Sequence, residues 1–289
     1  MSWMGKREMS RSWFCYSPEN DTWLAFLSLM AMTLIYFSNA NFGYDHPVIF
    51  FVGFIFIGHI LLNTFLPAYV VIFKRKEGLS GLGIGRKNLI RSLLLSGCLS
   101  VLLYPSLTAT LNNFEGEPLP NIFYNAIALW EPLFVFGWLQ LRFERAFGIV
   151  PAIILAALGF MTYHIGSFPL EGLISLFFSG LFFAIVFSCV RNLIILIPLT
   201  WASASTIGTI EGGFIFDWMT VAIYGVVLLI QILILFIFHR KTNFTEKPIS
   251  QKNKFHKKTN WYFTTPNSFR EIIGVAIKHG EKLCKSGFF

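Results

Sequence analysis

The stretch EPLFVFGWLQLRFERAFGIVPAIILAALGFMTYHIGSFP, residues 131–169, decides how this chain folds. It opens on a carboxylate, Glu131, and the apolar run of residues 150–163 ends on His164. Both side chains fall where lipid is expected to surround the chain. A charged group at bilayer depth costs several kcal/mol, so it usually faces the interior of a helix bundle and marks a site. Glu131 is therefore the first candidate functional residue.

The composition around this stretch is that of a membrane protein. Of 289 residues, 55% are hydrophobic and only 13% are charged, and the mean hydropathy is +0.62. Ordinary soluble domains carry about 25% charged residues. The fold class that these values predict is all-α, a polytopic membrane protein, because helices satisfy their own backbone hydrogen bonds in lipid.

Eight apolar segments approach the length of about 20 residues that a membrane-spanning helix needs. They predict a bundle of about eight transmembrane helices within residues 23–239, preceded by a cytoplasmic segment, 1–22, and followed by a basic tail, 240–289. No removable signal sequence is expected at the start. The predicted spans are residues 23–38, 48–73, 89–107, 121–141, 149–164, 173–190, 193–209 and 218–239.

The basic residues predict the orientation of this bundle. If the N-terminus is cytoplasmic, all 23 Lys and Arg residues fall in the cytoplasmic segments, and the opposite segments carry only acidic charge. This split follows the positive-inside rule and places both termini in the cytoplasm. The net charge of +8 is therefore expected to meet anionic lipid, and binding to nucleic acid is not predicted.

The four cysteines indicate neither a disulfide framework nor a zinc site, because they are scattered without metal-ligand spacing. Glu131 and His164 alone also make a poor zinc site, which needs about three protein ligands. No metal and no cofactor are predicted. The cysteines are Cys15, Cys98, Cys189 and Cys284.

Four side chains form the predicted site. Glu131 in the fourth predicted span and His164 at the end of the fifth can meet if these helices are antiparallel neighbours. The seventh predicted span adds Trp201 and Ser205, which share one helical face because they are four residues apart. Taken alone, Glu131 and His164 are more often hydrogen-bonded interior residues than catalytic groups.

The order and spacing of these residues resemble the CAAX-protease and bacteriocin-processing family of intramembrane proteases, known as CPBP or Abi. Its motifs are E-E-x-x-x-R, F-x-x-x-H and H-x-x-x-N or H-x-x-x-D. The resemblance covers about the central third of the chain, with a core near residues 121–209. It implies glutamate-dependent hydrolysis of prenylated or other peptides inside the membrane, with Glu131 as the general base.

Several positions depart from these motifs. Pro132 stands at the second glutamate and Phe136 at the arginine, whereas the second motif is complete from Phe160 to His164. Trp201 and Ser205 stand at the His and Asn/Asp positions of the third motif, which the family uses to hold an oxyanion. Both can still donate a hydrogen bond, but neither can replace an imidazole as a proton carrier.

A second H-x-x-x-N spacing lies in the second predicted span, as His59 and Asn63. These residues could supply substitute donors for the third motif. They could equally be packing residues, because polar side chains in membrane spans commonly hydrogen-bond between helices. Sequence alone leaves both interpretations open.

The resemblance leads to a first interpretation, an intramembrane endopeptidase with an eroded site and reduced or absent activity, and so a pseudoenzyme candidate. The alternative is a non-enzymatic membrane protein that binds a hydrophobic peptide or partner, with an immunity, resistance or regulatory role. A small-solute transporter would need more intramembrane charge. The partner expected in either case is a hydrophobic or membrane-inserted peptide, and the expected location is a bacterial cytoplasmic (inner) membrane.

The end of the tail has a pattern of its own. From Phe269 to Leu283, apolar residues recur at helical spacing with Lys and Arg elsewhere on the wheel. Ser268 and Glu271 form a capping box at its start. We expect an amphipathic helix on the inner leaflet, in contact with anionic lipid.

Overall fold

A computed structural model describes residues 12–43, 45–197 and 199–245, with side chains as far as residue 241. The chain divides into two units, residues 1–245 and 246–289, and the description covers only the first unit. The predicted amphipathic helix at the end of the tail, residues 268–289, therefore lies outside the described residues. The first half of the predicted N-terminal segment, residues 1–11, lies outside them as well.

Helices make up 80% of the described chain, which confirms the predicted all-α membrane fold. Apart from a single bridge between Ile165 and Phe168, this part of the chain forms no β-structure. Two short 3-10 turns, Leu79–Leu82 and Leu193–Ile195, lie between the helices. The helices are α1 (Asn20–Phe42), α2 (Ile49–Lys74), α3 (Leu89–Asn112), α4 (Pro118–Ile127), α5 (residues 130–147), α6 (Ile149–Thr162), α7 (Leu170–Val190), α8 (Leu199–Glu211) and α9 (Trp218–Thr245).

Each of the eight predicted segments corresponds to a helix, but the helices differ in length. Within the described residues, six spans are long and apolar enough to cross a membrane, with α4 and α5 counted as one span, Pro118–Phe147. Helix α6 has 14 residues and α8 has 13, or about 21 and 20 Å at 1.5 Å per residue. A hydrocarbon core is about 30 Å thick, so α6 and α8 extend only part of the way through it.

The span from Pro118 to Phe147 is the central one. In its most apolar window 61% of residues are buried, against 6% for α3. It is interrupted between α4 and α5, where the Ala128 backbone leaves the helical conformation. Pro132 explains the interruption, because it lacks the N–H that would bond to the carbonyl of Ala128. Glu131 therefore lies in the first turn of a new helix inside the bundle.

Charged side chains hold one end of the bundle together. Arg142 of α5 is 1% exposed and donates to Glu77, 3.3 Å away, and to the carbonyl of Gly81 at 3.2 Å. Arg145 binds the same carboxylate. Burial raises the pKa of Glu77, but the hydrogen bond from Arg145 and the charges of Arg142 and Arg145 outweigh it and hold the pKa below its ordinary value. Glu77 thus ties the loop after α2 to α5.

Gly148 makes the turn from α5 into α6. Its backbone has φ 90° and ψ 177°, a combination that is essentially restricted to glycine. A Cβ there would also lie 2.7 Å from the Cα of Phe14 and from the carbonyl oxygen of Trp13. The segment before α1 runs along this turn, where the Cys15 N–H donates to the carbonyl of Phe147 at 3.0 Å. Gly148 thereby lets α6 fold back against α5 without an intervening loop.

Candidate active site

Glu131 and His164 meet inside the bundle. The His164 Nε2 lies 3.4 Å from the Glu131 Oε1, and the two side chains are only 10% and 14% exposed. Helix α6 starts directly after α5 and is short, so its end returns to the depth of the first turn of α5. The structure thus brings Glu131 and His164 into contact, as the order of the helices predicted.

The end of α6 brings two consecutive side chains to this carboxylate. Tyr163 follows the last helical residue, Thr162, so the chain is turning where His164 projects. The Tyr163 hydroxyl donates to the Glu131 Oε1 at 2.8 Å. Consecutive residues within a regular helix would point about 100° apart, so the helix end is what lets both reach one oxygen. Tyr163 was not among the residues predicted from the sequence, although its position beside His164 was a usable signal.

The imidazole of His164 has a defined orientation. Its Nδ1 lies 2.8 Å from the carbonyl oxygen of Phe160. A carbonyl oxygen only accepts, so Nδ1 carries the proton of this hydrogen bond, and Nε2 faces Glu131. The Nε2 of a neutral ring accepts a hydrogen bond, and that of a protonated ring donates one.

Tyr36 of α1 covers the rings of Tyr163 and His164 from one side. Its ring centroid lies 4.9 Å from that of Tyr163 and 5.6 Å from that of His164, both edge to face. Such arrangements are favourable for aromatic rings. Tyr36 is 8% exposed, so it shields the two side chains on the α1 side and fixes their rings.

Trp201 lies in a different environment from the one the motifs imply. It is 1% exposed, and its ring centroid lies 5.2 Å from Phe183, 5.9 Å from Phe160 and 6.2 Å from Phe136. Within the described chain, its Nε1 has no hydrogen-bond partner. The Phe160 ring also contacts His164, at 5.1 Å. One phenyl ring therefore separates Trp201 from the Glu131–His164 pair.

Ser205 joins α8 to α4. Its hydroxyl donates to the Asn125 Oδ1 at 2.6 Å, and the Asn125 Nδ2 donates to Thr209 at 3.0 Å and to the carbonyl of Asn121 at 2.8 Å. The Ser205 hydroxyl thus bonds to α4 and not to Glu131. Asn121 and Asn125 lie four residues apart in an apolar span, and this spacing could have predicted a hydrogen-bond network between helices.

His59 and Asn63 lie on the other side of Glu131, in α2. The His59 ring is fully buried and packs 4.6 Å from the ring of Trp130, the residue before Glu131. Its Nδ1 lies 3.4 Å from the Asn63 Nδ2. Gln231 of α9 donates to the carbonyl of His59 at 3.2 Å, so this part of α2 also packs by hydrogen bonding. These contacts agree with both interpretations of His59 and Asn63. The two residues can be donors near the site, and they can be packing residues.

Among the described residues, no three His, Cys, Asp or Glu side chains are grouped so that they could hold a metal ion. The chemistry that these residues offer is acid–base catalysis, because a carboxylate and an imidazole lie 3.4 Å apart and the Tyr163 hydroxyl donates to the carboxylate. Such a set can activate water.

Comparison with known proteins shows a family similarity in the central part of the chain. Residues 119–203 match the family model described as type II CAAX prenyl endopeptidase Rce1-like, which confirms the resemblance drawn from the motifs. The matched region contains Glu131, the complete motif from Phe160 to His164, and Trp201, and it ends two residues before Ser205. No curated protein and no solved structure matches the chain significantly.

Proposed function

We propose that this chain is an intramembrane endopeptidase of the type II CAAX prenyl endopeptidase kind, with Glu131 as its general base. The observation that supports this most strongly is the convergence of Tyr163 and His164 on one oxygen of a buried carboxylate. A membrane protein rarely keeps a carboxylate at this depth without a function. The family match covers the same residues.

In the proposed reaction, Glu131 takes a proton from water while the water oxygen attacks the scissile carbonyl carbon. His164 shares that proton, and the proton then passes to the leaving amine nitrogen as the carbon–nitrogen bond breaks. The Tyr163 O–H donates to the Glu131 Oε1. In the proposed reaction it turns from that oxygen to donate to the charge that develops on the carbonyl oxygen.

The proposed enzyme is slow. Hydrolases that lose one donor to the oxyanion lose about 10²–10³ in kcat. Here Phe136 and Trp201 stand at the arginine and histidine positions of the motifs, and Ser205 donates to Asn125. Tyr163 is left as the donor nearest to Glu131. This arrangement supports an eroded site with reduced activity.

The proposed substrate is a hydrophobic or membrane-inserted peptide. The matched family model names prenylated CAAX proteins as the substrates of its class. Glu131 and His164 lie in the interior of a bundle of membrane-length helices, and a lipid-modified peptide would bring its scissile bond to that depth. A C-terminal prenylated peptide is therefore the first substrate to test.

A non-enzymatic role is the second candidate. Replacement of two polar motif positions by the packed rings of Phe136 and Trp201 favours a protein that binds a hydrophobic peptide or partner without cleaving it. An immunity, resistance or regulatory role would follow from such binding. The same purified protein can be used to separate the two functions.

The test compares wild type with Glu131→Gln in lipid nanodiscs, using a fluorescent peptide that ends in a farnesylated C-a-a-X sequence. We expect cleavage by the wild type and a loss of at least about 100-fold in Glu131→Gln, because the general base is removed. Glu171→Gln, at an exposed carboxylate in the first turn of α7, is the matched control and should retain activity. Thermal melting establishes that all three proteins fold.

Equal cleavage by wild type and Glu131→Gln would contradict the proposed catalytic role. Binding of the peptide by both proteins with no cleavage by either would favour the non-enzymatic function. These outcomes are distinct because binding and cleavage of the same peptide are measured separately.

We further propose a bacterial cytoplasmic (inner) membrane as the location, with both termini in the cytoplasm. Support comes from the basic residues, since Arg142, Arg145 and Arg191 all pair with acidic groups at one end of the bundle. Anionic lipid is the partner proposed for the tail, residues 240–289.

A further inference from the structure

Four tyrosine side chains cluster near Glu131, and their hydroxyl groups differ in what they bind. The Tyr163 hydroxyl donates to the Glu131 Oε1 at 2.8 Å. The hydroxyls of Tyr124 and Tyr224 form a hydrogen bond with each other. The hydroxyl of the fourth, Tyr36, takes part in neither of these bonds.

The Tyr36 hydroxyl accepts a hydrogen bond from the side chain of Trp130, the residue before Glu131. The direction of this bond is fixed, because an indole N–H can only donate. The phenol proton is therefore left to donate, and among the described residues no acceptor is paired with it. Tyr36 is 8% exposed, so an unused donor lies in the interior of the bundle.

This donor lies near the groups that would react in the proposed peptidase. The Glu131 carboxylate is the charged group that acts most strongly on the Tyr36 hydroxyl. The Tyr163 hydroxyl, which is bonded to that carboxylate, interacts with Tyr36 as well. The Tyr36 ring contacts the rings of Tyr163 at 4.9 Å and His164 at 5.6 Å. The Tyr36 hydroxyl is thus near both the carboxylate and its bonded hydroxyl.

The position of the Tyr36 side chain is fixed before any substrate binds. Its ring packs edge to face against Phe54 at 4.7 Å and His59 at 6.0 Å, both in α2, and Trp130 holds its oxygen. A donor stabilises a transition state best when it is oriented before the reaction. Tyr163 must give up its bond to Glu131 in order to donate elsewhere, whereas the Tyr36 proton has no such bond to lose.

We propose that the Tyr36 hydroxyl donates a hydrogen bond to the oxyanion of the scissile peptide, a role that rests on the proposed peptidase function. As the water oxygen bonds to the carbonyl carbon, the π electrons of the C=O group move to its oxygen. They return when the carbon–nitrogen bond breaks, and the amine nitrogen receives the proton held by Glu131 and His164. Tyr36 keeps its own proton throughout. It thereby takes the role that the motifs give to positions 201 and 205.

The test uses Tyr36→Phe, which removes the hydroxyl and keeps the ring. The full chain in nanodiscs is assayed with the farnesylated peptide. We expect kcat to fall by about 100-fold, as for the loss of one oxyanion donor, with little change in KM. Tyr104→Phe is the matched control, because Tyr104 is 63% exposed on α3, and it should retain the wild-type rate. Thermal melting establishes that both variants fold.

A second measurement separates a donor to the oxyanion from a packing residue. The probe is a phosphinate analogue of the same peptide, whose tetrahedral phosphorus group carries the negative charge of the transition state. Tyr36→Phe should weaken its binding by about the same factor as kcat, since such analogues follow transition-state affinity. Binding of the intact peptide, measured in the Glu131→Gln background, should not change. A residue that only packs against the site would weaken both ligands equally.

Trp130→Phe tests the same donor without changing Tyr36. It removes the indole N–H that orients the hydroxyl, and we expect kcat to fall by about tenfold, less than for loss of the donor itself. The double variant with Tyr36→Phe should be no slower than Tyr36→Phe alone, because coupled residues are not additive. Full additivity of the two losses would contradict the orientation of Tyr36 by Trp130.

The outcomes distinguish this inference from the proposed function. Cleavage that depends on Glu131 and is unchanged in a folded Tyr36→Phe would retain the peptidase and overturn the role of Tyr36. Equal weakening of the analogue and the intact peptide would also overturn it. If Tyr36→Phe does not fold, an unchanged kcat in Trp130→Phe would overturn the role, and a tenfold loss would support it. Absence of cleavage that depends on Glu131 would contradict both proposals.

Discussion

The rings of Phe136 and Trp201 pack edge to face, with their centroids 6.2 Å apart and their planes at 75°. In the motifs of the intramembrane proteases these two positions carry an arginine and a histidine. In this chain the two positions form one apolar contact between α5 and α8. Glu131, the proposed general base, and His164 lie on the other side of the Phe160 ring.

Substitution of Trp201 by His should raise any cleavage that depends on Glu131. The imidazole restores a group that can donate to an oxyanion and carry a proton, and one such donor is worth about 10²–10³ in rate. The rate of cleavage of the farnesylated peptide is the measurement. Trp201→Phe is the control because it removes the indole N–H and adds no donor. Equal rates in the two variants would contradict a role for this position in the reaction.

Substitution of Glu77 by Gln should destabilise the bundle, because the buried guanidinium of Arg142 would lose its nearest carboxylate. Removing one partner of a buried pair costs about 3–5 kcal/mol. Here the lower end applies, since Glu77 is 21% exposed and Arg142 keeps the carbonyl of Gly81. Thermal melting in detergent measures the loss, and the exposed Glu115→Gln serves as the control.

The contribution of Glu77 should also depend on pH. Its pKa is below the ordinary value of 4.5 in the folded chain, so the unfolded chain binds its proton first as pH falls. The contribution is therefore complete above pH 4.5 and is lost as pH falls through the lowered folded pKa. The difference in melting temperature between wild type and Glu77→Gln should shrink on acidification. A difference that grows would contradict the assignment.

Replacement of Gly148 by Ala should destabilise the chain by about 1–3 kcal/mol from backbone strain alone. The added methyl group would also meet the backbone of Trp13 and Phe14. Gly97→Ala, in α3 with nothing within 4 Å of the new Cβ, is the control and should be neutral or slightly stabilising. Equal melting temperatures for the two variants would contradict the role of the turn.

The two ends of the bundle should react differently with a membrane-impermeant thiol reagent. Single cysteines placed beside Glu117 and beside Lys241 test this in a chain whose native cysteines are replaced by serine, since Cys15, Cys98 and Cys189 are exposed. In intact cells the first should be labelled and the second protected, as the positive-inside rule predicts. Equal labelling from outside would refute the orientation.

The tail from Ser268 to Phe289 should bind anionic membranes as a helix. Its apolar stripe and flanking basic residues suit the interface of a charged leaflet. Circular dichroism of the synthetic peptide should show a gain in helicity with anionic vesicles and a smaller gain with zwitterionic ones. No change with either would contradict this prediction.

Hydrophobicity alone predicted most of the fold. The long apolar runs identified the spans because lipid requires continuous apolar helices. The start of α8 was predicted at residue 193 and lies at Leu199. The side chain of Asn192 explains the difference, since it accepts from the Ile194 N–H and donates to the carbonyls of Gly85 and Lys87. These contacts hold a single 3-10 turn in place of the first helical turns, and they join segments more than 100 positions apart.

The contact between Glu131 and His164 was predictable for a similar reason. Glu131 lies in the first turn of α5 and His164 follows the end of α6, and the turn at Gly148 joins these two helices. Their contact therefore follows from the order of the helices. The reach of Tyr163 to Glu131 depends on where α6 stops, and helix ends are poorly defined by sequence pattern. The phenyl rings around Trp201 come from three different helices. Spacing within one helix carries no information about them.

The shortness of α6 has a consequence for the surrounding lipid. A helix of about 21 Å in a bilayer core of about 30 Å creates a hydrophobic mismatch, which the bilayer relieves by thinning around the shorter element. The leaflet beside the turn of residues 163–169 is then drawn towards Glu131, and the path of solvent to the carboxylate becomes shorter. Acyl-chain length, and so the thickness of the host membrane, becomes a variable that sets how readily this carboxylate meets water.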